Sequence, residues 1–231
     1  MFPTEERKAY LKEIKNNGTK EKGKSLPFAY KNNPRFVGDV YKVKLDHLIF
    51  NQFNTRIIDE LKTYQSAALG QVHTYDQVLE DKIKKILWEQ GGKNKITLED
   101  LDESGQKVPG VVTADGVIVS GNRRAMLLSR LNVDDFDAVI LDESYDGNRK
   151  LVDILEASLQ NSDVGPQGYT ATSKQYQVWN FYENHKLDWS EIVTYMPKGE
   201  TETKIKMYYE EYLCMLDYLE AIGTPNIMTN L

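Results

Sequence analysis

The spacing of apolar and polar residues divides the chain into a mixed first part and a helical second part. Residues 39–50, DVYKVKLDHLIF, alternate well enough to predict a strand, and residues 136–142 predict a buried one. Two β-rich segments around Asp115-Gly116 predict a hairpin over 109–121. Apolar residues at helical spacing predict helices at 55–69, 74–92, 122–131 and 146–162 and over most of the chain after residue 172.

The N-terminal segment differs in character from the rest of the chain. Residues 4–18 predict a short helix with Thr4 as its N-cap and Gly18 as its end. The next segment, GTKEKGKSLPFAYKNNPRF, is typical of a flexible arm. We therefore predict an α+β protein with three parts: a basic helical arm at 1–38, a mixed domain at 39–165 and an all-α domain at 166–231.

Composition narrows the class of protein. No apolar run approaches the roughly 18 residues of a membrane span, the N-terminus lacks the apolar core of a secretory signal, and Cys214 stands alone. These features favour a cytoplasmic protein without membrane contact. The final residues, GTPNIMTNL, resemble the start of a linker.

Charge is distributed unevenly, which matters for partners. Residues 1–44 carry eleven Lys/Arg and five Asp/Glu, a net charge of +6, whereas the rest of the chain carries −12. A basic arm could follow the phosphates of DNA. The alternative, which we favour on charge alone, is a solvated arm that keeps the protein soluble.

The segment VSGNRRAMLL combines features that suit an anion. A strand that ends at Gly121 and leads into a helix near Asn122 leaves backbone N–H groups and the positive end of the helix dipole exposed. Gly121 permits close approach of a phosphate, and Arg123 and Arg124 supply guanidinium groups that match phosphate oxygens. The alternative is a surface arginine pair that neutralises the acidic residues in NVDDFD.

The order of these segments resembles the ParB/sulfiredoxin-like family over roughly residues 39–220. In that family a strand and an arginine-containing loop are followed by helices, a hairpin that ends in a Gly-x-Arg-Arg turn, and a motif with a glutamate and a glutamine. The corresponding segments here are VKLDHLIFNQFNTRI, DGVIVSGNRRAMLL and ILEASLQNSDVGPQGYT. The resemblance implies a site for a nucleotide, CTP or ATP, with Mg²⁺, and it assigns Arg56, Gly121, Asn122, Arg123, Arg124 and Gln160 to the nucleotide and Glu156 to the metal.

Departures from the family pattern restrict the chemistry that the resemblance implies. Sulfiredoxin activity requires a cysteine in the turn, where this chain has Asn122, so reductase activity is not expected. ParB proteins that hydrolyse CTP carry an acidic residue after the glycine, an asparagine beside the glutamate and an arginine after the glutamine, where this chain has Asn122, Ala157 and Asn161. These departures argue against rapid hydrolysis more than against phosphate binding. Glu156 is the candidate catalytic residue, as a ligand of Mg²⁺ or as a base. Its alternative interpretation is a glutamate on a helix surface.

Other candidate residues carry weaker signals. Asp142 and Glu143 follow a predicted strand, where ligands often bind in α/β proteins. His47, His73 and His185 lack the spacing of metal ligands and have no cysteine pair beside them, so we expect no zinc site.

The C-terminal segment resembles the helix-turn-helix unit that follows the motif with the glutamate and the glutamine in ParB proteins. WSEIVTYM would be its first helix and KGETE its turn, but residues 202–220 carry a net charge of −3, which is unfavourable for a helix that enters a DNA groove. Met207, Tyr208, Leu213, Leu216 and Leu219 instead favour a core or a homodimer interface.

Together these patterns predict a ParB-like nucleotide- or phosphate-binding switch module associated with DNA processes such as partitioning or those of mobile elements and phages. Whether it is an enzyme stays open at this stage. One alternative is a nuclease or small-molecule kinase of the same fold, and another is a non-catalytic DNA-binding adaptor.

Overall fold

A computed structural model describes residues 2–31, 33–67, 75–161 and 170–223. Two compact units are present: unit 1 is Met1–Asn51 with Tyr75–Glu156, and unit 2 is Gln52–Thr74 with Ala157–Leu231. The predicted α+β class is confirmed. The predicted domain limits stay predictions. Among the described helices, none has the length and apolar character of a membrane span.

The helices and strands follow the predicted order closely. They are α1 (Thr4–Asn17), β1 (Pro27–Tyr30), β2 (Asn33–Val37), β3 (Val40–Lys44), β4 (Ile49–Phe50), α2 (Ile58–Ala67), α3 (Gln77–Glu89), α4 (Asn94–Ser104), β5 (Gly110–Val112), β6 (Val117–Ser120), α5 (Asn122–Arg130), β7 (Asp135–Ile140), α6 (Arg149–Asn161), α7 (Ala171–Trp179), α8 (Trp189–Tyr195) and α9 (Glu202–Ala221).

Unit 1 is built on a mixed five-stranded sheet with the order β3-β7-β5-β6-β4. β5 and β6 form the predicted antiparallel hairpin, while β4 pairs with β6 and β5 with β7 in parallel. The predicted strand 39–50 is divided by a 3₁₀ turn at Leu45–His47 into β3 and β4, which lie at opposite edges of the sheet. α5 packs against α3, α4 and β7 through residues that are almost fully buried.

The N-terminal segment departs from two expectations. α1 begins at Thr4 with Pro3 as its N-cap, so Thr4 lies inside the helix and the predicted cap is wrong. The segment expected to be a flexible arm contains the antiparallel pair β1 and β2, in which Phe28 contacts Tyr30 and Phe36 edge-on. The aromatic contacts along this short hairpin bury apolar surface, which the many charged residues of the segment gave no reason to expect.

Unit 2 is helical in its described part. A cluster of Ile58, Tyr176, Tyr212 and Leu219 joins α2, α7 and α9, and α8 packs against α9. Asp59 of α2 accepts hydrogen bonds from Thr170 and Ser173 at the start of α7. A π-helical turn at Asn180–Asn184 comes directly after α7. The predicted joint at 164–172 lies largely outside the described residues.

Candidate phosphate-binding site

The turn between β6 and α5 is formed by a glycine in a conformation that other residues rarely adopt. Gly121 has φ +100°, and a Cβ atom at this position would lie 2.8 Å from Cζ of Phe136. α5 starts without a side-chain cap, whereas Asp76 caps α3 and Thr170 caps α7. The first backbone N–H groups of α5 therefore depend on a partner outside the helix.

Two asparagines connect the ends of the parallel strands β4 and β6. Asn51 directly follows β4, and its backbone N–H donates to Oδ1 of Asn122 over 3.1 Å. The side-chain amide of Asn122 donates to the carbonyl oxygen of Ile118 over 2.8 Å. Both asparagines are buried, so these bonds are shielded from water. Asn122 thus fixes the α5 turn to the end of the neighbouring strand.

Glu156 is part of the same hydrogen-bonded chain. Its Oε2 accepts from the side-chain amide of Asn51 over 3.0 Å, and the residue is 2% exposed. The alternative interpretation of Glu156 as a helix-surface residue is therefore wrong. A buried carboxylate is costly unless hydrogen bonds stabilise it, and Asn51 supplies one. Asn51, Asn122 and Glu156 form a polar cluster within unit 1.

The two arginines of the turn have different environments. Arg124 donates to the carbonyl oxygens of Val108 and Pro109, and burial lowers its pKa. Arg123 donates from Nε to Oδ1 of Asn94 over 2.5 Å. The acidic segment expected as an alternative partner is engaged elsewhere, since Asp135 pairs with Lys44. Arg124 thus binds the loop that precedes β5, and Arg123 binds the start of α4.

The remaining predicted site residues, Arg56 and Gln160, belong to unit 2. The backbone N–H of Arg56 donates to Oδ1 of Asn54, while its Nε is buried and has no hydrogen-bond partner among the described residues. Thr55 lies 3.5 Å from Gln160 through their side-chain oxygens. Unit 2 therefore brings Gln160 beside the loop that carries Arg56, and unit 1 brings together Gly121, Asn122, Arg123, Arg124 and Glu156.

Most of the described ion pairs of the basic N-terminal segment join it to carboxylates of the mixed sheet and the loop after it. Lys24 pairs with Asp137, Lys15 with Asp142 and Lys31 with Glu143. Charges held in such pairs attract an external polyanion less strongly. This arrangement reduces the positive charge that the segment offers to DNA.

Two of these carboxylates were candidates for chemistry. Lys15 lowers the pKa of Asp142 through a hydrogen bond, and Glu143 accepts from Tyr30 as well as pairing with Lys31. Both residues thus anchor the N-terminal segment to the end of β7.

The histidines occupy separate places. His47 is stacked between the rings of Phe2 and Tyr10, and His185 comes after the π-helical turn. His73 lies outside the described residues. Within the described ranges, no group of three or more His, Cys, Asp or Glu side chains could hold a metal ion.

Two residues of the site were missed by the sequence analysis. Asn51 belongs to an Asn-rich loop whose position after a strand was the available signal, since it places an amide at a sheet edge. Asn94 gave no signal, because its contact with Arg123 joins α4 to α5 across 29 residues of sequence. Side-chain contacts of this kind depend on packing that a local pattern does not contain.

The segment that resembles a helix-turn-helix unit consists of α8 and α9, joined by six residues. Asp188 and Glu191 form a capping box at the start of α8, and Thr201 caps α9. Exposed apolar side chains of α9 include Met207 and Tyr218, with exposed fractions of 45% and 54%.

Known proteins resemble this chain in structure rather than in sequence. No protein-family model matches the chain, and no curated protein matches it in sequence. A solved Pnob8-like ParB-N domain is similar with a TM-score of 0.43 and 10% identity, over 64% of this chain and 47% of that one. A C-terminally truncated chromosome-partitioning protein ParB from Caulobacter crescentus, complexed with CTP-gamma-S, is similar with a TM-score of 0.29 and 12% identity, over 80% and 83%.

The present chain thus spans about half the length of the first of these structures. Both structures are of ParB proteins, and the sequence motifs also resemble that family. TM-scores and identities of this size carry no statement about what the chain binds, so its function has to be inferred from its own residues.

Proposed function

We propose that the chain is a ParB-like switch module that binds the phosphate groups of a nucleotide at the N-terminus of α5, in association with DNA processes. The observation that carries the proposal is the uncapped start of α5 at the left-handed Gly121, with Arg123 on its first turn. Backbone N–H groups and a guanidinium group in this arrangement bind phosphate oxygens, and the helix dipole favours their charge.

The polar cluster of unit 1 supports the proposal by making the turn rigid. The bonds from Asn51 to Asn122 and Glu156 fix the start of α5 to the end of β4. A preorganised site loses less conformational entropy when a ligand binds. Asn122 acts in this proposal through its backbone N–H, since both polar atoms of its side chain are engaged.

Glu156 is the proposed carboxylate for Mg²⁺. Mg²⁺ is commonly held by one or two carboxylates together with phosphate oxygens and water, so a larger protein cage is not required. Bound there, the ion would neutralise phosphate charge. Arg56 and Gln160, which both belong to unit 2, are proposed as nucleotide-binding residues on the sequence resemblance.

We propose binding without rapid hydrolysis. The segment ILEASLQNSDVGPQGYT keeps Glu156 and Gln160 but has Ala157 and Asn161 where the family resemblance implies an asparagine and an arginine near the metal and the triphosphate. If turnover occurs, Glu156 is the candidate catalytic residue. No specific contact among the described residues favours a nuclease or a kinase.

The test is nucleotide binding by titration calorimetry with CTP and ATP, with and without Mg²⁺. We expect Arg123→Ala to weaken binding roughly 10- to 100-fold, the equivalent of about 1.5–3 kcal/mol for a charge-assisted contact. Arg130→Ala is the matched control, because it removes the same charge at the opposite end of α5. Equal losses in the two variants, or no binding of either nucleotide by the parent protein, would contradict the proposal.

Partners beyond the nucleotide form a separate part of the proposal. We propose DNA association as a property of the module and a homodimer through α9, where Met207 and Tyr218 are exposed. Light scattering after size exclusion tests the dimer with Tyr218→Glu, which should yield monomers. A DNA mobility shift at several salt concentrations tests DNA binding, and a shift that salt does not weaken would contradict contact with phosphates.

A further inference from the structure

Asn94 links the end of α3 to the arginine of the candidate site. This residue is 2% exposed and stands at the start of α4. Its side-chain amide donates to the carbonyl oxygens of Leu87 and Trp88 over 3.1 and 2.7 Å, while its Oδ1 accepts from Nε of Arg123. Carbonyl groups in the last turn of a helix lack partners within it, and Asn94 supplies a donor to two of them, although the Trp88 carbonyl also accepts from the backbone N–H of Gly91.

Gly91 provides the space that Asn94 occupies. A Cβ atom on Gly91 would lie 2.0–2.2 Å from the amide atoms of Asn94, a distance that non-bonded atoms do not reach. The adjacent Gly92 has no atom within 4 Å of the corresponding position. Neither glycine has a positive φ, so alanine is compatible with the backbone at both.

The bond to Asn94 restricts the orientation of the guanidinium group. Arginine has a flexible side chain, and its N–H groups point outward in the plane of the guanidinium, so it binds phosphate through two parallel hydrogen bonds only when an edge of that plane is directed at the oxygens. Asn94 cannot turn away from Nε of Arg123 without breaking its two hydrogen bonds to α3, one of which is buried. The orientation of Arg123 is therefore coupled to the α3–α4 turn.

We propose that Asn94 is a positioning residue for phosphate binding, which fixes the plane of the Arg123 guanidinium, and that Gly91 is required because it leaves room for Asn94. This inference rests on the proposed function, in which Arg123 contacts phosphate. Asn94 itself does not contact the ligand.

The experiment measures the affinity for inorganic pyrophosphate by titration calorimetry. The variants are Gly91→Ala, Gly92→Ala and Asn94→Ala, each alone and combined with Arg123→Ala. We expect Gly91→Ala and Asn94→Ala to weaken binding roughly three- to tenfold, the effect of one side chain that must be ordered on binding. Gly92→Ala should bind like the parent. In the Arg123→Ala background neither Gly91→Ala nor Asn94→Ala should weaken binding further, whereas a general effect on the fold would add to it.

The outcomes separate this inference from the proposed function. Parental affinity in Arg123→Ala would contradict the phosphate site itself. Weak binding in Arg123→Ala together with parental affinity in Gly91→Ala would overturn only the positioning role. The same conclusion would follow if the losses from Gly91→Ala and Arg123→Ala added in the double variant, or if Gly92→Ala lost as much affinity as Gly91→Ala. If Asn94→Ala does not fold, Gly91→Ala decides, since it displaces the Asn94 side chain and keeps its polar atoms.

Discussion

Lys62 in unit 2 is a lysine whose charge should limit the stability of the protein at neutral pH. Its ammonium group lies 4.2 Å from the ring centroid of Tyr176, 5.7 Å from that of Trp179 and 5.9 Å from that of Tyr212, and it donates to the Tyr212 hydroxyl over 3.2 Å. Burial lowers the pKa of Lys62 to about 8, against a smaller opposing effect of Asp59. The folded state therefore binds this proton less tightly than the unfolded chain does.

The direction of the pH effect is set by proton linkage. Between about pH 8 and 10.5 the folded protein loses the proton while the unfolded chain keeps it, so the free energy of unfolding rises with pH through this window. With 10.5 as the unfolded value, the rise from pH 7 to pH 10 is about 2.5 kcal/mol at most. Below pH 8 both states carry the charge, and this contribution no longer changes with pH.

Urea unfolding at pH 7, 8, 9 and 10 measures the effect. Lys62→Met keeps a long unbranched side chain and removes the amine, so we expect its free energy of unfolding to lack the rise. Lys12→Met removes an exposed lysine of α1 and should keep the rise of the parent. The series ends at pH 10 because burial raises the pKa of Tyr212 in the folded protein. Above that pH the tyrosine ionises in the unfolded chain but not in the folded protein, which lowers the free energy of unfolding. Parallel pH curves for the parent and Lys62→Met would refute the reasoning.

Three further predictions concern unit 1. Arg124→Ala should lower the free energy of unfolding by roughly 1.5–3 kcal/mol in urea titrations, because its hydrogen bonds to the carbonyl oxygens of Val108 and Pro109 are lost. An unchanged free energy of unfolding would show that these hydrogen bonds do not stabilise the fold. Gly121→Ala should destabilise more than Gly23→Ala in the same assay, since alanine at either positive φ costs roughly 1–2 kcal/mol, but only at Gly121 would the added Cβ atom also lie 2.8 Å from Cζ of Phe136. Glu156→Gln should change the Mg²⁺ dependence of nucleotide binding more than the affinity without metal, with hydrolysis near background in both proteins; parental turnover lost in the variant would make Glu156 catalytic.

Local pattern determined most of the secondary structure. Alternation and helical spacing predicted the hairpin at Asp115-Gly116 and helices α3, α5, α6 and α9. Each of these elements buries one face, so its apolar residues recur at a regular interval within a short stretch of sequence. The predicted N-cap of α1 was wrong, and the strand pair β1 and β2 was not predicted. There the sequence is rich in charges and turn residues. The segment is held in place by aromatic contacts within the hairpin and by ion pairs with carboxylates that are distant in sequence.

The candidate site shows the same division. The glycine-containing turn and its arginines could be recognised from the sequence, since a glycine between a strand and a helix has a local conformational reason. Only the tertiary structure assigned Arg124 to the carbonyls of Val108 and Pro109, buried Glu156 and placed Asn51 and Asn94 beside the turn. Those contacts join residues far apart in sequence, and they form only where sheet pairing and helix packing bring them within hydrogen-bond distance. The sequence by itself therefore determined which elements form and which residues suit phosphate, while the tertiary structure decided which of those residues stabilise the fold and which line the turn.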